Sequence, residues 1–128
     1  MPKSAEFSAA LSESRIQQQI CRHYHNTYCL KHHNPRCLIF SVPNESNGAK
    51  SMKLIQTGLY PGCADLIICH RKDYLGNVIT RWLFVEVKNE TGKQSDNQKK
   101  FEEHAAQVCV PYFVVRSLAE FIKVIESL

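Results

Sequence analysis

The run Gly58-Leu59-Tyr60-Pro61-Gly62-Cys63-Ala64-Asp65-Leu66-Ile67-Ile68-Cys69, followed after a turn by Arg81-Trp82-Leu83-Phe84-Val85-Glu86-Val87-Lys88, restricts this chain more than any other stretch. Asp65 opens an apolar run, Leu66 to Cys69, short enough for a buried strand, and Asp73 to Asn77 with Gly76 supplies a turn before the second run. Two strands then lie side by side. Strand side chains alternate faces, so Glu86 and Lys88 share one face while Val85 and Val87 share the other.

Charges inside an apolar strand need a partner, because an unpaired buried charge is expensive. Asp65 is a candidate neighbour for Glu86. Two carboxylates about 4 Å apart repel by roughly 4 kcal/mol at an effective dielectric of about 20, so a cation belongs between them. A divalent ion or Lys88 fills that role. Carboxylate oxygens with few other ligands suit magnesium or manganese, which keep several waters and bind substrate phosphate. That chemistry points to phosphodiester hydrolysis, with Lys88 orienting a water or offsetting transition-state charge.

Pro61-Gly62, Asp65 and Glu86-Val87-Lys88 resemble the active-site signature of the PD-(D/E)XK nucleases. The wider set is more specific: Glu13, Pro43-Asn44, Lys53, Gly58, Pro61-Gly62-Cys63-Ala64-Asp65, Glu86-Val87-Lys88, Ser95 and Gln98. In that order they resemble the virus-type replication-repair nuclease (VRR-NUC) domain in its standalone form, from about Ser12 to Val115. One departure is Cys63-Ala64 before the aspartate, where the superfamily's name puts proline.

The resemblance implies an α/β fold with a restriction-endonuclease-like PD-(D/E)XK core, a mixed central sheet flanked by helices. It implies a metal-dependent, structure-selective endonuclease on branched DNA, with four-way junctions cut by a homodimer. Glu13, Asp65 and Glu86, with the backbone carbonyl of Val87, are then the expected ligands of Mg2+ or Mn2+. Lys88 is expected to assist the attacking water and Gln98 to support the arrangement. By position alone, Glu13 would favour a helix N-terminal dipole and Gln98 would be an exposed helical glutamine. Alternatives are a flap- or end-processing nuclease and a DNA-binding module that does not cut.

The 128 residues, 44% of them apolar, fit one domain spanning the chain. No run approaches the roughly 18 apolar residues of a membrane helix, and Met1 to Ala10 has no signal-peptide core, so an intracellular soluble protein with loosely ordered first residues is expected. The six cysteines form no Cys-x-x-Cys pair, and Cys37, Cys69 and Cys109 sit in apolar runs, which favours reduced, mostly buried thiols. His23, His25, His32 and His33 cluster with Cys21, Cys29 and Cys37, but their irregular spacing disfavours structural zinc.

Through Lys53 there are seven Lys and Arg against three acids, and the remainder balances at nine and nine, so the net charge of +4 lies in the first part. Such an excess suits phosphate contacts or is simply a solvated basic face. Lys50, Lys53, Lys93 and Lys99 are the candidate DNA contacts.

Ser12 is expected to cap a first helix with Leu11, Ile16, Ile20, Tyr24 and Tyr28 on one side, ended by Asn34-Pro35. Cys37 to Val42 reads as a strand, Pro43 to Gly48 as a loop, and Ala49 to Thr57 as a short helix ended by Gly58. Ser95 is expected to cap a helix over Asp96 to Gln107 with Phe101, Ala105 and Val108 inward. Tyr112 to Val115 reads as a strand. Ser117 caps a last helix carrying Leu118, Phe121, Ile122 and Ile125.

Overall fold

The computed structural model describes residues 11–43 and 49–128, with the side chains of 49–51 excepted. The order is α1 (Glu13–Tyr24), a π-helical turn (His25–Cys29), β1 (Leu38–Ser41), α2 (Ala49–Gln56), β2 (Leu66–Tyr74), β3 (Asn77–Val87), α3 (Asp96–Gln107), β4 (Tyr112–Val115) and α4 (Leu118–Glu126). The strands form one sheet in the order β1-β2-β3-β4. The β1/β2 and β2/β3 pairs are antiparallel, whereas β3 and β4, joined across α3, are parallel. A parallel pair needs a long connection, and α3 provides it.

Alternation along β3 sorts the domain into two layers. Leu83, Val85 and Val87 are fully buried with Leu66 and Ile68 of β2 beneath α1 and α4, where Ile16, Ile20, Tyr24, Phe121 and Ile125 complete the larger core. Phe84 points to the opposite face. There it packs with Phe101 of α3, Cys63, Ala64, Val42 and Tyr112 in a smaller cluster. Glu86 and Lys88 continue the Phe84 row, so they emerge where this thinner layer ends.

Several expectations are corrected. Leu11 is exposed, and α1 gives way to the π-helical turn after Tyr24, ten residues before Asn34. The tight ring packing of Tyr24 on Tyr28, with centroids 4.9 Å apart, keeps Tyr28 against the core through that turn. Strand β2 runs to Tyr74 rather than stopping at Cys69, and β3 starts at Asn77. Only Leu75-Gly76 lies between them, both at positive φ, 53° and 83°. Such a pair closes a tight hairpin whose twist matches the strands. Val108 and Cys109 are exposed as the chain leaves α3. None of the six cysteines forms a disulfide. Met1 to Ala10 and Asn44 lie outside the described residues. No described helix is long and apolar enough to cross a membrane.

Candidate active site

Asp65 immediately precedes β2, and the register pairs Leu66 with Val85, so the next rung sets Asp65 beside Glu86. The backbone fixes this aspartate. Its Oδ2 accepts from the Val87 amide at 2.7 Å, and its own carbonyl accepts from the Val42 amide at 3.0 Å, tying β1 to the site.

Glu86 is 1% exposed and Lys88 8%. Glu86 Oε2 accepts from Gln98 Nε2 at 2.9 Å and lies 3.8 Å from Lys88 Nζ. Its other oxygen accepts from the Tyr112 hydroxyl at 3.5 Å. Burial, then the charge of Asp65 and hydrogen bonding with it, push the Glu86 carboxyl up to about 8; Lys88 offsets part of this and Glu13 adds to it. Near neutral pH Glu86 therefore keeps its proton.

Helix α3 aims Gln98 by a capping box. Ser95 Oγ accepts from the Gln98 amide at 3.2 Å and Gln98 Oε1 accepts from the Ser95 amide at 2.8 Å. With Oε1 used, only the NH2 end is left for Glu86. The Pro61-Gly62 loop braces the same place. Gly62 has φ +81°, and a Cβ there would fall 2.6 Å from the Gln98 amide nitrogen and closer still to the Asn97 carbonyl group. Glycine is required on both counts.

Glu13 enters from the first turn of α1, behind the Ser12 cap whose hydroxyl accepts from the Arg15 amide at 3.1 Å. A Cβ on Gly92 would lie 3.0 Å from Glu13 Oε2, 3.4 Å from Lys88 Cδ and 2.9 Å from Asn89 Oδ1. Glu13, Lys88 and the Asn89–Gly92 turn thus converge. Arg116 fastens that turn, donating from one guanidinium nitrogen to the Asn89 carbonyl at 2.8 Å and the Gly92 carbonyl at 2.7 Å.

The five residues singled out for chemistry, Glu13, Asp65, Glu86, Lys88 and Gln98, accordingly come to one end of the β2/β3 pair. Lys53, Lys93 and Lys99 are exposed, whereas the Lys50 side chain lies outside the described residues. Among the described residues no three His, Cys, Asp or Glu groups stand as a preformed metal cage, at the carboxylates or in the histidine-rich segment. Tyr112, Gln94, Asn89 and Arg116 were not picked out by sequence. Tyr112 reaches Glu86 through the parallel β3/β4 register, which pairs Glu86 with Val114, and Gln94 Nε2 donates to the Tyr112 hydroxyl at 3.2 Å. No sequence signal fixes that register.

In comparison with known structures, the chain superposes on a solved VRR_NUC domain protein with a TM-score of 0.66 and 21% identity, covering 91% of this chain and 87% of that one. The chain therefore has the fold of a VRR-NUC domain, with an α/β restriction-endonuclease-like core. No protein-family model and no curated protein matches its sequence.

Proposed function

We propose that the protein is a divalent-metal-dependent DNA endonuclease that cuts branched DNA, four-way junctions among them, as a homodimer. One observation carries this reading: Asp65 and Glu86 sit side by side across the β2/β3 pair, with Lys88 and Gln98 both directed at the same oxygen of Glu86. A module that only binds DNA gains nothing from acids held together, since they repel phosphate.

The donor set suits Mg2+ or Mn2+ in kind. All candidate ligands are oxygens, namely Asp65, Glu86, Glu13 and the Val87 carbonyl, and the proton held by Glu86 is one that a hard cation can displace. When bound, such an ion polarises the phosphate and acidifies a water. The chain's own groups do the rest. Gln98 and Tyr112 hold Glu86 in one orientation, and the Val87 amide holds Asp65. Lys88, 3.8 Å from Glu86, offers an ammonium that positions the attacking water and balances charge building on the phosphate. A two-fold dimer presents two equivalent sites to two strands of like polarity.

The test is incubation of labelled four-way junctions, flaps and duplexes with Mg2+ or Mn2+, comparing wild type with Asp65→Ala and Lys88→Ala. Junction cleavage by wild type alone is expected. Binding without cleavage under either metal would replace the enzyme with a binding module, and preferential cutting of flaps or ends would reassign the substrate.

A further inference from the structure

Strands β2 and β3 outrun the sheet. β1 pairs with β2 no further than Cys69, and β4 pairs with β3 no earlier than Phe84, yet β2 and β3 stay paired out to Tyr74 and Asn77. Every residue from Arg71 to Trp82 is exposed. A two-stranded ribbon therefore stands off the domain, a form only marginally stable without a partner surface.

Its charge is one-sided. Arg71, Lys72 and Arg81 face a single acid, Asp73, and among the described residues none of the three cations has an Asp or Glu side chain within ion-pair distance. Alternation sets His70, Lys72 and Tyr74 on one face, with Arg81 directly across from His70 and Ile79 across from Lys72. These residues, together with Leu128, line a cleft of about 230 Å3. At its floor His70 is buried and its Nδ1 is bonded to the Tyr24 hydroxyl at 2.8 Å. Lys72 Nζ is held at the rim by the Leu128 backbone oxygen, 2.7 Å away. On the diagonal of an antiparallel pair, Lys72 and Arg81 stand about 7–8 Å apart. Two cations at that spacing, neither with a side-chain carboxylate in ion-pair distance among the described residues, repel a second copy of the same face and attract a polyanion.

We propose that this face of the ribbon is a second DNA contact, in which Lys72 and Arg81 hold the sugar-phosphate backbone of a duplex. It rests on the reading that DNA is the substrate. Arg81 lies five residues from Glu86 along β3, about 17 Å at strand spacing, and on the opposite face of the sheet. The ribbon therefore touches DNA outside the reacting phosphate and supplies affinity rather than chemistry.

Fluorescence-anisotropy titration of duplex and junction DNA in EDTA, over a range of NaCl concentrations, tests this without any cleavage. Lys72→Ala/Arg81→Ala is expected to weaken binding to every sequence alike and to flatten the plot of log affinity against log salt by about two, one per lost phosphate contact. Lys72→Arg/Arg81→Lys keeps both charges and is expected to keep the wild-type slope; the melting temperatures of both variants report folding. Wild-type affinity and slope in the alanine double variant would overturn the contact, as would binding of anionic lipid vesicles in place of DNA. Cleavage in Mg2+ is scored separately, so a protein that binds through the ribbon but never cuts sinks the nuclease reading alone.

Discussion

Gln98 spans two elements: its Nε2 donates to Glu86 Oε2 at 2.9 Å while its Oε1 accepts from the Ser95 amide at 2.8 Å. One side chain thus closes the N-terminus of α3 and orients the most buried carboxylate of the site. Helix capping and active-site geometry use opposite ends of the same side chain, so a substitution there separates stability from chemistry according to which end it spares.

Gln98→Glu retains an oxygen for the Ser95 amide but brings a carboxylate against Glu86. Stability is expected to change by less than about 1 kcal/mol, the usual scale of a cap, while cleavage falls roughly 10–100-fold, as for groups that orient metal-binding residues. Urea denaturation and single-turnover cleavage measured on the same preparation check this. A stability loss as large as the cleavage loss would show that the new carboxylate disrupts the fold around Glu86 and not the chemistry alone.

Gly62→Ala is expected to cost about 2 kcal/mol or more. A side chain at φ +81° is strained, and the new methyl collides with the backbone of Asn97 and Gln98. Because those atoms open α3, the collision displaces Gln98 from Glu86. Equilibrium unfolding gives the cost, and the same variant is expected to lose cleavage even at temperatures where it remains folded.

Cys109 offers the reverse case. It sits at φ +61° as α3 ends, and the Val110 amide bonds to the Ala105 carbonyl at 2.9 Å in the pattern that ordinarily places glycine at this position. Cys109→Gly is expected to raise stability by about 1 kcal/mol and to leave cleavage untouched. An unchanged or lower urea midpoint would show that the backbone there carries no strain.

The hairpin was legible because alternation and turn residues are local signals. Glu86 and Lys88 share a face for that reason, and the cap residues Ser12, Ser95 and Ser117 mark helix starts that all appear in the structure. What depends on register was not legible. Tyr112 meets Glu86 because a parallel strand docks at one offset, and Arg116 reaches Asn89 and Gly92 because β4 ends beside them. The ribbon was hidden differently. After Lys53 nine Lys and Arg balance nine acids along the sequence, although the fold isolates Arg71, Lys72 and Arg81 on one projection.

Glu86 also makes metal-free stability depend on pH. Its carboxyl is pushed from 4.5 up to about 8 in the fold, first by burial and then by Asp65. Across that window the native protein holds a proton that the unfolded chain has released, so stability falls as pH rises. The contribution is complete below the unfolded value and lost through the folded one. It is of order a few kcal/mol. Urea midpoints in EDTA are expected to decline between these pH values for wild type and to decline less for Glu86→Gln.

A cation that binds Glu86 beside Asp65 must displace the proton that the Glu86 carboxyl retains. Near neutral pH, a Glu86 carboxyl pushed up to about 8 is mostly protonated, so Mn2+ binding is expected to release close to one proton and to tighten as pH rises toward that value. Calorimetry in buffers of different ionisation enthalpy counts the proton directly. Glu86→Gln has no proton to lose, so its residual binding is expected to be weak and insensitive to the buffer. Tight, buffer-independent binding to the wild type would place the ion away from this carboxylate pair.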